Sequence, residues 1–438
     1  MLNKDVHCVS FNFILSYLFY IRAQFLIIQN TQLQFQPLKK IFLITKLKTS
    51  NIGNEALSHE IIRLFKDIAD DATINVNGRP FGLDGYLPAR LLKVSDPIQE
   101  FENWTDKIVK KIKSEPDVKF VANEGKVILY QQKVDYKIDK WKSKLKPIKR
   151  FINSLLVYSK EYKSRASVLK AADWLIYSGV GEVTDGYRGD FNDAHVFIRQ
   201  MIEIRVAQKL GINTAAVNQS IFVNLPLSQQ IIAHVYKNMK RIVIRGTSSR
   251  DCLIKYGVPS NLIEMAPDSA INTLFENAGK VNKNKNIVGL NFSNHVKISD
   301  EEMERIVNYL KAQNKTVIYC TNEPIGDYAI IEKLNKKFNI PLLDGHTNYK
   351  EYAQKLSEFD FVISARVHTN MLSMISHTTV IPIEGNDFRL HELLEGFEYP
   401  LMPVKSQQDG WVNKLIENIE AVRNNKYDFK SYFENVFT

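Results

Sequence analysis

FVISARVHTNMLSMISHTTVIPIE, residues 361–384, is the stretch that decides the fold. FVIS is a short, apolar, β-favouring run, MLSMI puts small and apolar residues at helical spacing, and TVIPI returns to β-branched residues. A strand, a helix and a second strand in so short a span form a βαβ unit. Strands joined in this way lie parallel, because the chain must cross back through the helix before pairing again.

The same alternation extends in both directions. TVIYC (316–320) and IPLL (340–343) read as strands upstream, as does NIVGLNF (286–292), and Ser299 with Glu302 forms a capping box that opens the helix EEMERIVNYLKAQ. Further back, IFLIT (41–45) leads through the loop KLKTSNIGNE into the helical pattern LSHEIIRLF. WLIYS (174–178) runs into GVGEVTDG, and RIVIR (241–245) runs into GTSS and a helix for which Ser248 is the expected N-cap and Gly257 the stop. The polar linker AGKVNKNK (278–285) separates the two series.

The expected architecture is therefore α/β, with two Rossmann-like lobes facing across a cleft. They span residues 39–278 and 285–410, and a helix in 411–438 is expected to pack back across both lobes. Residues 1–38 read as an extension outside the core: the apolar run 11–28 carries Arg22 and Gln24 near its middle and lacks a cleavage site, which suits neither a signal peptide nor a clean span.

The composition is that of a globular protein, with 438 residues, 45% of them hydrophobic and 24% charged. Three scattered cysteines, Cys8, Cys252 and Cys320, argue against a disulfide framework or structural zinc and fit a reducing compartment, so the cytoplasm is expected. The net charge of +10 favours anionic partners. No nucleic-acid-binding motif accompanies it, so nucleic acid is not the expected partner. Eight Lys/Arg against two Asp crowd residues 131–150, within a basic insert reaching to about residue 165. That insert reads as a solvated face or, with Trp141, Leu145 and Phe151 as anchors, as a surface that meets anionic lipid at the inner face of the cell membrane.

In open parallel sheets the ligand sits beyond the carboxyl ends of the strands, which singles out four loops. Arg366 and His368 follow FVIS at the start of a helix: the guanidinium fork suits a carboxylate or phosphate, and the imidazole can carry a proton near neutral pH. Arg245 ends a strand of the other lobe, with Ser248 beside it, so a cleft closing on a small dianion would have a cation on each wall. SGVGEVTDG supplies Gly179 and Gly181 for a close backbone approach and the carboxylate Asp185. NIGNEA supplies Asn51, Gly53 as a turn glycine at positive φ, and Glu55. HExxH, GxSxG and carboxylate clusters at metal spacing are absent from the sequence, so no metal is expected.

Taken in order, NIGNEA, SGVGEVTD, IRGTSSRDCLIKYG, APDSA and ISARVHTNMLSMISHTTVIPIEGNDFR resemble the motif series of the polysaccharide pyruvyl transferases over roughly residues 39–397. The resemblance implies a fold similar to B-type glycosyltransferases and, as co-substrate, phosphoenolpyruvate in place of any bound cofactor. It implies an acceptor, a sugar or lipid-linked glycan, that gains a pyruvate ketal with release of phosphate. By position, Arg245 and Arg366 would hold the donor, Ser248 would lie beside it, His368 would touch its phosphate or supply a proton, and Arg389 would line the cleft. The sequence departs from the family pattern at Asn54, where the family has Asp, at Val180 in SGVG, and at Asn386 and Arg389 in place of tyrosine and lysine. Asp185 and Glu55 remain alternative bases. The rival readings are a nucleotide-sugar glycosyltransferase, with Glu384 on the ribose, and a silent anion- or glycan-binding member.

Overall fold

The computed structural model describes residues 40–45, 51–69, 71–77, 91–114, 127–130, 168–178, 183–185, 194–273, 281–293, 296, 298–343, 348–384 and 388–437. The N-terminal extension, the basic insert, Gly179, Val180, Gly181 and Asn386 lie outside these residues. The chain divides into two compact units. One comprises Ile28–Leu47 and Ile61–Ala266; the other includes Lys48–Glu60 and Pro267–Thr438. The units thus part ahead of the polar stretch 278–285, and a segment from the start of the chain belongs with its end.

The first unit is a parallel sheet of seven strands in the order β3-β2-β1-β4-β6-β8-β9. These are β1 (Lys40–Ile44), β2 (Thr73–Asn77), β3 (Val127–Tyr130), β4 (Trp174–Ser178), β6 (Asn213–Gln219), β8 (Arg241–Ile244) and β9 (Ile263–Met265), while β5 (Val183–Thr184) pairs separately with β7 (Ile221–Phe222). Ile41, Phe42, Leu43 and Ile44 are all fully buried, as expected of a central strand covered on both faces. Three helices, α2 (Pro97–Ser114), α3 (His195–Lys209) and α4 (Pro226–Tyr236), pack together. Glu102 of α2 ties them, accepting from Arg205 Nε at 2.7 Å and pairing with Lys209 Nζ and His234 Nε2, each at 2.5 Å. Burial alone would raise the Glu102 pKa; the hydrogen bonds from Arg205, Lys209 and His234 outweigh it and hold the carboxyl at about 2.

The second unit is a parallel sheet in the order β11-β10-β12-β13-β14. Its strands are β10 (Asn284–Asn291), β11 (Thr316–Tyr319), β12 (Phe359–Ser364), β13 (Thr379–Glu384) and β14 (Val404–Lys405). The βαβ unit read from residues 361–384 is present as β12, the helix α9 (Val367–Ile375) and β13, with Val362 paired to Val380. Pro382 is tolerated in β13 because β14 pairs only with Ile383 and Glu384. IPLL does not form the expected strand: Pro341 lacks an N–H, and only one isolated bridge, Tyr319 to Leu342, joins it to β11. The Ser299–Glu302 capping box is present at the start of α6 (Asp300–Ala312). The C-terminal helix α11 (Trp411–Arg423) packs on α6, β13 and β14 within this unit, burying Trp411, Val412, Leu415 and Ile419. Among the described residues no helix is long and apolar enough to cross a membrane.

Helix α1 (Ile52–Ile68) begins earlier than expected, and its first turns fill the second unit's core with Ile52, Ala56 and Leu57. Asn51 caps it: the side-chain oxygen accepts from the N–H groups of Gly53 at 3.1 Å and Asn54 at 3.3 Å.

Candidate functional site

In the second unit the chain leaves β10 toward β11 on one side and returns to β12 on the other. The strand order reverses there, and beyond the carboxyl ends at such a point is where open parallel sheets hold ligands. Asn291 ends β10 directly opposite Ser364 of β12, and Arg366 follows two residues later as the N-cap of α9. The turn is fixed by Ser364 Oγ, which accepts from the Arg366 N–H at 3.0 Å. Asn370 Nδ2 also fixes it, donating to the carbonyls of Ser364 at 3.0 Å and Arg366 at 2.9 Å.

Arg366 is buried, and the loop after β11 supplies carboxylates to its guanidinium. Nε donates to Asp327 Oδ2 at 3.3 Å, Nη2 pairs with Asp327 Oδ1, and Nη1 pairs with Glu323 Oε2 at 2.6 Å. Asp327 is fully buried and also receives Thr321 Oγ1 at 2.5 Å and Asn291 Nδ2 at 3.3 Å. Burial works to lower the Arg366 pKa, but the hydrogen bonds and charge of Asp327, reinforced by Glu323, hold it above the ordinary arginine value. The same environment acts on Tyr319: burial, with the Asp327 charge added, pushes its hydroxyl pKa well up.

His368 lies in the first turn of α9, where unpaired N–H groups and the helix dipole favour a negative ligand. Its Nε2 is 3.7 Å from Asp268 Oδ2, its side chain is 11% exposed, and the Nε2 atom makes no hydrogen bond among the described residues. The other Asp268 oxygen accepts from the Ala270 N–H at 3.0 Å and caps the short 3-10 turn Ser269–Asn272, so the carboxylate is fixed from behind. Gly53 packs against the Cγ–Nδ1 edge of the ring, where an added Cβ would lie 2.3 Å from His368 Cγ and 2.5 Å from Nδ1. This close approach is what requires glycine. The expected positive φ is corrected, since Gly53 lies inside α1 and outside the left-handed region.

Asn51 and Asn322 join these pieces. Asn322 Nδ2 donates to Asn51 Oδ1 at 2.7 Å, its carbonyl accepts the Ile52 N–H at 3.0 Å, and its side-chain oxygen accepts from Thr369 Oγ1 at 2.9 Å. Asn51 Nδ2 reaches Glu323 Oε2 at 3.4 Å. Of the residues expected from sequence, Asn51, Gly53, Arg366 and His368 therefore meet within the second unit. Glu55 lies in the first turn of α1, Glu384 is buried at the end of β13, and Arg389 opens α10 (Arg389–Gly396).

The remaining candidates belong to the first unit. Arg245 follows β8, is half-buried, and donates its backbone N–H to the Gln219 carbonyl at 2.9 Å. Ser248 is not the helix cap: Gly246 occupies the N-cap of α5 (Thr247–Lys255) without a side-chain bond, because the helix begins one residue before Ser248. Gly257 does end that helix, at φ 95°. Asp185 is fully buried and accepts the N–H groups of Asn224 at 3.1 Å and Leu225 at 2.7 Å, which anchors the start of α4.

Asp268, Asn322, Glu323 and Asp327 carry no sequence signal that marks them as site residues. Asp268 stands in APDSA, where a Pro-Asp-Ser sequence reads as an ordinary cap, and its nearness to His368 arises only from tertiary structure. Among the described residues no group of three His, Cys, Asp or Glu side chains could hold a metal ion.

The sequence model of the polysaccharide pyruvyl transferase family matches residues 51–387. No curated protein matches the sequence. Among solved structures, the chain is similar to a UDP-N-acetylglucosamine 2-epimerase, at 12% identity over 92% of this chain and 90% of that one, with a TM-score of 0.47. It is similar to the UDP-GlcNAc 2-epimerase of Methanocaldococcus jannaschii at 14% identity, over 91% and 96% of the two chains, with a TM-score of 0.45. For UGT73P12 of Glycyrrhiza uralensis the values are 12%, 92%, 90% and 0.48.

Proposed function

The chain belongs to the polysaccharide pyruvyl transferase family, and from that premise we propose that it transfers a pyruvyl group from phosphoenolpyruvate to a sugar of a glycan. The observation that carries the reading is the His368 ring at the N-terminus of α9, beside Asp268 and two residues beyond Arg366. A proton donor and an anion-binding helix end thus come from one short segment.

The reaction joins two sugar hydroxyls to the central carbon of the donor. The methylene carbon takes a proton, the first hydroxyl oxygen attacks the adjacent carbon, the second completes the ketal, and the bond to the phosphate oxygen breaks. Two hydroxyl protons are released; one replaces the proton delivered to the methyl carbon, and the other leaves with phosphate. His368 is the group proposed to move the proton, Asp268 orients it, and the N–H groups of α9 with Arg366 stabilise the anion. The resemblance assigns Arg245 and Ser248 to the donor as well, and Arg245→Ala tests that assignment through loss of the phosphoenolpyruvate-induced thermal shift.

The deciding experiment follows phosphate release from phosphoenolpyruvate in the presence of candidate sugar and lipid-linked acceptors, alongside melting temperatures with phosphoenolpyruvate or a nucleotide sugar. Acceptor-dependent phosphate release with stabilisation by phosphoenolpyruvate supports the reading. Stabilisation by nucleotide sugars alone overturns it in favour of glycosyl transfer.

A further inference from the structure

The two carboxylates on Arg366 are unequal. Asp327 is fully buried and held by Thr321 and Asn291 as well as by the arginine, so moving it would strand several polar groups. The Glu323 side chain is 30% exposed and stands on a turn, with Gly326 close behind: a Cβ there would lie 3.1 Å from Glu323 Cδ and 3.3 Å from Arg366 Nη2. Glu323 Oε2 meets Nη1 at 2.6 Å and a weak donor, Asn51 Nδ2, at 3.4 Å. The arginine thus has one fork face on a fixed internal anion and one nitrogen on an anion that can turn out to water.

We propose that Glu323 is a built-in competitor that occupies the Arg366 seat of an incoming carboxylate or phosphate and swings away when that anion binds. Asp327 is then the positioning residue that keeps the guanidinium plane fixed through the exchange. The inference rests on the reading of Arg366 as an anion-binding group. It adds that the affinity for the anion is set by a displacement, in which one charge-assisted hydrogen bond is broken as another forms. A displacement of this kind discriminates by chemistry: neutral sugars cannot evict a carboxylate from a guanidinium, whereas a carboxylate or phosphate can.

The test is calorimetric titration of wild type, Glu323→Gln and Glu323→Ala with phosphoenolpyruvate, inorganic phosphate and pyruvate, with melting temperatures measured on the same samples. Both variants should bind phosphoenolpyruvate about 5-fold or more tightly, the difference between displacing a charged and a neutral or absent acceptor. Equal or weaker binding by the variants, with wild type binding phosphoenolpyruvate, overturns the competitor and leaves the donor reading standing. Tighter binding of phosphate or pyruvate by the variants, with phosphoenolpyruvate no better than either, upholds the competitor and removes the donor reading. Absence of binding by all three proteins overturns both.

Discussion

Gly53 and His368 are in such close contact that a β-carbon on the glycine would lie 2.3 Å from both Cβ and Cγ of the histidine. Real β-carbons do not approach that closely, so a side chain at position 53 must move either the ring or the first turn of α1. Gly53→Ala should cost about 1–3 kcal/mol by overpacking. It should also lower turnover more than its effect on stability explains, because the atoms the new carbon meets are Cβ, Cγ and Nδ1 of His368. Melting temperature and kcat measured together check this; unchanged kcat in a folded variant would detach the glycine from the chemistry.

His368→Gln should keep the fold and much of the donor-induced thermal shift while reducing turnover by roughly 10²- to 10⁴-fold, the scale of a lost acid-base group. Asp268→Asn should reduce kcat by at least about 10-fold and leave donor affinity within a few-fold, because the carboxylate acts through the ring. Steady-state kinetics paired with calorimetric binding separates the two effects. Near-wild-type turnover in His368→Gln would return the histidine to the scaffold.

Arg366→Lys preserves charge but not the planar fork that meets Asp327 through Nε and Nη2. A lysine ammonium has no planar fork to match both oxygens of that buried carboxylate, so the variant should lose stability as well as anion affinity. Arg366→Ala, which removes the guanidinium that faces buried Asp327, should cost about 3–5 kcal/mol. Thermal unfolding measures both, and a variant as stable as wild type would show that Asp327 is satisfied without the arginine.

Glu102 gives a pH signature in the first unit. Its pKa is lowered from 4.5 to about 2 in the folded protein, so its contribution is complete above 4.5 and is lost as pH falls toward 2. Glu102→Gln should lower the melting temperature at neutral pH and flatten the acid limb between those two values. Parallel melting curves from pH 7 to pH 2 test this; equal acid limbs in both proteins would assign the sensitivity elsewhere.

Much of the fold was legible because buried parallel strands are written as short β-branched runs. FVIS, WLIYS and RIVIR all form strands, and the Ser299–Glu302 capping box and Gly257 act where sequence puts them. NTAAVNQ escaped because Asn213, Thr214, Asn218 and Gln219 disguise a central strand, β6, part of whose polar surface bonds internally; Gln219 Nε2, for instance, donates to the Tyr177 carbonyl at 3.0 Å. At the site, Arg366 and His368 were readable from their place after a strand. Their carboxylate partners were not: Glu323 and Asp327 lie some forty residues earlier and Asp268 a hundred, and no local pattern encodes which acid will face which base.

The segment Lys48–Glu60 precedes Pro267 by about two hundred residues, yet Ile52, Ala56 and Leu57 complete the core built from Pro267–Thr438. A polypeptide severed between Ala266 and Pro267 would give two pieces, one carrying an apolar plug without its socket and the other a socket without its plug. The early helix must therefore wait, partly exposed, until the strands of the second unit have been made. The two pieces, co-expressed, would have reason to find each other.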